Sequence, residues 1–249
     1  MNGYLIELLL SLPAVLLSLT LHECAHGWVA YRLGDPTARD LGRLTLNPIR
    51  HIDPIGAISL LLFRIGWAKP VPINPRNFKR PRAGMALTAI AGPITNFLIA
   101  FVSTFFLLLC YTGGEKIPVS SAATSIIALF LYYLFRFFYL LQVMNIALAL
   151  FNLLPLPPLD GSRILTLILP RRAAFWIVRH ERQILLFVLV WMVGGSFLAD
   201  LLLGVPAVAA SPVLSALVSV LSLTGWIGSA ARFISSGLIS LFVKLPFLA

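Results

Sequence analysis

Long apolar runs, broken by short polar segments, organise the chain. The first run, about Tyr4 to Tyr31, is nearly continuous and reads as a membrane-spanning helix, because a hydrocarbon core about 30 Å thick takes ~20 apolar residues. A polar segment from Arg32 to Asp53 follows, with turn signals at Gly34-Asp35-Pro36 and Asn47-Pro48. Ile55 to Phe63 and Ile65 to Ala68 are apolar again but too short to cross. They predict a hairpin or re-entrant element that returns to the side it left. Pro70, Pro72 and Pro75 then impose an extended path. Further spans are predicted from about Ala83 to Tyr111, from about Ala122 to Phe151 and from about Ile184 to Leu203. A proline-broken stretch, Leu153 to Pro158, and a short helix from about Gly161 to Leu169 separate the last two. In the tail, Pro206 to Leu223 is long enough only for a short span. Gly225 to Lys244 sets Ser229, Arg232, Ser236, Ser240 and Lys244 on one helical face, the pattern of a helix lying on a membrane. The fold class that follows is all-α: a multi-pass transmembrane bundle with a re-entrant hairpin element. Residues 1–204 form the core and the span after it, and 205–249 form a membrane-associated tail.

Composition supports this reading. The chain is 59% hydrophobic and 11% charged, more apolar than a soluble domain of 249 residues needs. The first run lacks a basic leader and continues into a polar motif, so no cleavable signal is expected. The net charge of +10 raises nucleic acid as a partner, but the basic residues lie in two short loops. Arg64, Lys69, Arg76, Lys79, Arg80 and Arg82 form one group; Arg163, Arg171, Arg172, Arg179 and Arg182 form the other. Basic short loops mark the cytoplasmic side. The charge therefore sets topology and meets lipid headgroups, no nucleic-acid partner is expected, and the chain belongs in the cytoplasmic membrane. Arg136, inside an apolar run, has no partner that the sequence names. Cys24 and Cys110 fall near opposite faces of the membrane, so no disulfide is expected.

Candidate chemistry gathers where the first span ends, at Leu21-His22-Glu23-Cys24-Ala25-His26. An ionisable group inside a membrane is costly and by default functional. His22 and His26, four apart, share one helical face and can bind one metal ion, with Glu23 beside it as a base and not a ligand. Cys24 lies about 200° around the helix from His22 and faces away. A catalytic zinc site needs a third protein ligand. His51 is one candidate, read more readily as a solvated loop histidine. Asp160, in Asn152-Leu-Leu-Pro-Leu-Pro-Pro-Leu-Asp-Gly161, is the favoured one, although a carboxylate there also reads as the cap of the following helix.

His22-Glu-Cys-Ala-His26, Gly92-Pro-Ile-Thr-Asn96 and Asn152 to Gly161 together resemble the three signature motifs of the site-2 proteases, which are intramembrane zinc metalloproteases. The resemblance covers about Thr20 to Arg163. It implies zinc on His22, His26 and Asp160, Glu23 as general base, and Asn96 and Asn152 lining the active site. It further implies transmembrane proteins or peptides as substrates, cut near the cytoplasmic side. From the residues alone, each asparagine reads equally well as an interhelical hydrogen-bonding group. Many relatives carry a PDZ or CBS domain; this chain has room for neither and resembles the small core-only subgroup. The alternative from another class is a non-catalytic metal-binding membrane protein or transporter. That reading requires a relay of ligands across the bilayer.

Overall fold

The computed structural model of the chain describes residues 2–56, 68–118, 120–206, 210–211, 214–215, 218 and 222–244. Among these, five helices are long and apolar enough to cross a membrane. They belong to α1 (Asn2–Arg32), α3 (Pro81–Glu115), α4 (Ala122–Asn152), α7 (Glu181–Leu203) and α8 (Leu223–Val243). The one-turn α2 (Thr37–Asp40), α5 (Asp160–Ile168) and α6 (Arg171–Arg179) lie between them. No strand is present among the described residues.

Helix α3 is the centre of the bundle and packs against α1, α4, α5 and α8. Its buried positions include Gly84, Ala86, Ala89, Ala91, Gly92, Ala100, Ser103 and Thr104. Small residues let helix backbones approach closely in lipid, where van der Waals packing replaces the hydrophobic drive between helices. Pro81 opens the helix at a position whose N–H would have no partner. Helix α4 begins with a reciprocal capping box between Ser121 and Thr124.

A polar joint ties four helices together inside this apolar bundle. The Gln142 amide, fully buried on α4, donates to Thr104 Oγ1 of α3 at 2.7 Å and accepts from the Ser235 hydroxyl of α8 at 2.8 Å. One turn on, Asn145 donates to Ser18 Oγ of α1 at 2.8 Å. Each such bond between membrane helices contributes about 0.6–2 kcal/mol. Ala231 packs with Ala100 and Ile146, and Phe242 with Leu107 and Leu108. Helix α8 therefore runs lengthwise along α3 and α4. The sequence suggested a helix lying on the membrane. Its polar stripe at Ser229, Arg232, Ser236 and Ser240 is the exposed face, and the opposite face, Ala231, Ser235 and Phe242, is buried.

Arg136 of α4 does have a partner: its Nη2 meets Glu7 Oε1 of α1 at 2.5 Å, and its Nη1 donates to the Tyr132 hydroxyl. Both cysteines are free.

The expected re-entrant element lies mostly outside the described residues. At its base, Ile52 and Ala68 form an isolated antiparallel bridge, and the Lys69 N–H donates to His51 O at 2.9 Å. The polar segment after α1 is fastened by Asp35, which is fully buried. Its carboxylate accepts from the N–H and hydroxyl of Thr37, from the Asn77 amide and from the Asn74 N–H. Burial opposes its charge, but these hydrogen bonds outweigh burial and lower its pKa. A lowered carboxylate pKa gives stability that is complete above the unfolded value, near 3.9, and is lost as pH falls below it towards the folded value. Asp35→Asn should therefore lower the thermal midpoint in detergent by about 5 °C at pH 7. The gap to wild type should close as the pH is taken below about 4. Thermal scans of both proteins across this range check it.

Candidate metal centre

Helix α1 carries His22 and His26 on one face, with ring centroids 4.5 Å apart and planes at 89°. Both are buried. Their Nε2 atoms lie 2.9 Å apart. Asp160, the first residue of α5, brings Oδ2 to 3.3 Å from His22 Nε2 and 3.2 Å from His26 Nε2. Three electron-pair donors thus converge from two segments 134 residues apart in sequence. Two atoms each 2.0–2.1 Å from one zinc ion at a tetrahedral angle would be about 3.3–3.4 Å apart. The observed spacings are close to this, so the residues fit a zinc ion.

The surroundings fit it as well. His26 Nδ1 lies 2.7 Å from the Thr88 carbonyl of α3. A carbonyl only accepts, so Nδ1 carries the proton and Nε2 turns a lone pair towards Asp160 and His22. Pro93, five residues on, lacks the N–H that would meet the Ala89 carbonyl, and Thr88 faces the site beside that break in the ladder. Gly92 forms the floor. A Cβ there would stand 2.6 Å from both His22 Nε2 and His26 Cε1, and closer still to His22 Cε1. Gly161 serves the same purpose for α5, since a Cβ would collide with the carbonyls of Leu153 and Leu154.

Asp160 does not cap its helix. The N-cap residue is Leu159, and no side-chain cap bond is present there. Burial raises the Asp160 pKa and the facing imidazoles, when they carry a shared proton, lower it, and the net direction is down. The far end of α5 is held by Arg82 of α3, whose guanidinium donates to the carbonyls of Thr166 and Leu169. Cations are favoured at a helix C-terminus, where free carbonyls collect.

His51 is neither in this cluster nor solvated. It is 2% exposed and its Nε2–H donates to Thr45 O at 2.8 Å, so it holds the polar loop together. Glu23 stands beside His22, and its Oε2 accepts the Val71 N–H at 2.8 Å. Asn96 is fully buried one turn beyond Gly92, and neither of its amide atoms has a partner among the described residues. Asn152 is half-buried and donates to Leu148 O of its own helix. The Thr88 carbonyl and the Val71 amide were not foreseen, because backbone groups leave no mark in residue identity. Gly92 and Pro93, inside an apolar run, were the available signal for a close approach.

Residues 11–195 match the description Peptidase family M50. The chain belongs to that family, and with five spanning-length helices it is a multi-pass membrane zinc metalloprotease. It is 46% identical over 156 residues to "Putative zinc metalloprotease YwhC" of Bacillus subtilis (strain 168), covering 63% of this chain and 67% of that protein. It is 26% identical over 158 residues to "Zinc metalloprotease MJ0392" of Methanocaldococcus jannaschii, covering 64% of this chain and 34% of that protein. No solved structure matches the chain.

Zinc content of detergent-purified variants, measured by mass spectrometry, checks the ligand set. Gly92→Ala and Asp160→Ala should each bind much less zinc than wild type, the first by steric intrusion and the second by loss of a donor. His51→Ala should keep its zinc while melting at a lower temperature.

Proposed function

We propose that this protein hydrolyses peptide bonds within or next to the transmembrane segments of other membrane proteins, from the cytoplasmic side of the cell membrane. His22, His26 and Asp160 hold the zinc ion and Glu23 is the general base. The observation that carries this reading is the convergence of two imidazole nitrogens and a carboxylate oxygen, 2.9–3.3 Å apart, within a bundle of membrane-spanning helices.

Zinc, when bound, supplies Lewis acidity towards water and the scissile carbonyl. The remaining work belongs to the chain. Glu23 takes a proton from the attacking water at a carboxylate oxygen and delivers it to the departing amine. Thr88 keeps His26 in the tautomer that offers Nε2. The Asn96 amide, buried with neither atom paired, is a group whose cost of burial is offset when a substrate carbonyl or oxyanion accepts from it. Asn152, at the mouth of the same region in sequence, serves substrate positioning.

A helical substrate hides its peptide groups in its own hydrogen bonds. It must unwind locally before Glu23 and the water can reach a carbonyl, so segments with poor helix formers near the inner surface are the preferred class. The basic, amphipathic α6, with Phe175, Trp176 and Val178 exposed between Arg171, Arg172 and Arg179, has the composition of a helix at an anionic inner surface. A transporter reading lacks support, since the described residues hold no second cluster of metal-binding groups beyond His22, His26 and Asp160.

Glu23→Gln keeps size and polarity while removing the proton acceptor. Its zinc content should equal that of wild type, and cleavage of single-span peptides in proteoliposomes should fall by about 10² to 10⁴. A non-catalytic protein would show no cleavage to lose. Orientation has its own check. A cysteine introduced at Ser120 should react with an impermeant thiol reagent added outside intact cells, and one at Lys79 should react only after the cells are opened.

A further inference from the structure

We infer that the backbone N–H of Val71 is a positioning group for Glu23: it fixes one carboxylate oxygen so that the other is presented to the reacting water. The inference rests on the protease reading of Glu23 and deepens it.

Helix α1 fixes the Glu23 backbone, but the side chain still has three rotatable bonds, and a base misplaced by an ångström loses much of its effect. The only hydrogen-bond donor to its carboxylate among the described residues is the Val71 N–H, at 2.8 Å from Oε2. Oε1 remains uncommitted. A backbone amide suits this task, because it has no rotamers of its own and its direction is set by the chain on either side.

That chain is held with unusual completeness. Pro70 and Pro72 flank Val71, fix their own φ angles and remove both neighbouring donors. On one side the Lys69 N–H is bonded to His51 O, and Lys69 O accepts from Nη2 of the buried Arg43 at 2.7 Å. On the other side the Asn74 N–H is bonded to the buried Asp35 carboxylate at 2.7 Å. Between these anchors the Val71 side chain is 6% exposed and packs beside Gly27, where an added Cβ would come within 3.2 Å of Val71 Cγ1. Ile73 carries the remaining amide of the segment, and it meets no acceptor among the described residues. The extended segment thus presents one fixed N–H to the catalytic helix, and that N–H is spent on Glu23.

A merely structural contact would dock the segment on α1 and affect stability. A positioning contact affects the chemical step. The two separate when the donor is deleted without touching any side chain, by replacing Val71 with its α-hydroxy analogue so that an ester oxygen stands where the N–H was. The expected result is a fall in kcat of about 10- to 100-fold, the effect of one hydrogen bond to a charged group. KM, zinc content and thermal midpoint should stay near wild type. The same ester at Ile73 should leave kcat unchanged. A Val71 ester with wild-type kcat, equal losses in both esters, or a loss carried entirely by zinc content or folding overturns the inference. A second measurement needs no activity. Paired ¹³C-proline and ¹⁵N-valine labelling isolates the amides of Pro–Val steps, so hydrogen exchange at Val71 can be followed in the full-length protein. That amide should exchange slowly in wild type and fast in Glu23→Ala; equal rates overturn the contact itself. Should wild type cleave nothing while this exchange difference holds, the protease reading fails and the Val71–Glu23 contact stands.

Discussion

Three atoms with lone pairs, two nitrogens and one oxygen, sit within 3.3 Å of one another inside an apolar bundle, and much of the architecture follows from that crowding. Without a cation, such a cluster is stabilised only by a shared proton. The chain accepts the arrangement because three helices are forced together there: α1 brings the imidazoles, α5 brings the carboxylate, and α3 lies beneath with no side chain at Gly92. A single methyl group at that position would displace both rings. The small-residue face of α3 is the general form of the same requirement, since close backbones are what let donors from separate segments meet.

Polar groups divide into two kinds. Gln142, Asn145, Ser18, Thr104 and Ser235 bond across the helices and hold them in register, and Glu7 with Arg136 does so nearer the other end of α1. Asn96 and the His22 Nδ1 are buried without partners among the described residues, and both lie beside the site. Protein interiors seldom leave such groups unpaired. Most of the unsatisfied groups among the described residues, His22 Nδ1, Thr88 Oγ1, Asp160 Oδ2 and the Asn96 amide, belong to the segments that build the site, where a ligand or substrate can complete them; Arg43 Nε, His51 Nδ1 and Asn145 Oδ1 lie elsewhere.

Much of this was legible in the sequence because membranes simplify the code. The run lengths predicted four of the five spanning-length helices to within a few residues, with α3 and α7 extending a turn further at their ends, while the short span read at Pro206 to Leu223 lies mostly outside the described residues. His22, Glu23 and His26 were visible from their spacing on one helix, and Asp160 from its place at the end of an apolar run on the same side. The cap reading of Asp160 and the metal reading were indistinguishable in sequence, since both ask for an oxygen at a helix start; the direction of the carboxylate separates them. His51 escaped because burial of a loop depends on partners distant in sequence. The tail helix escaped for a related reason. Its serine stripe suggested a surface, whereas its other face carries Ser235, whose partner Gln142 lies 93 residues away.

The prolines at 70, 72 and 75 have one further effect, on the chain before it folds. An ordinary peptide loses conformational freedom worth about 1–2 kcal/mol per residue when it is fixed. Three of the six residues from Pro70 to Pro75 have less of that freedom to lose, because their rings already fix φ in the unfolded state. The segment beside Glu23 is therefore held in place largely by what the chain cannot do elsewhere. Its rigidity is inherited from the nascent polypeptide, and the few hydrogen bonds at Lys69, Val71 and Asn74 need only choose its direction.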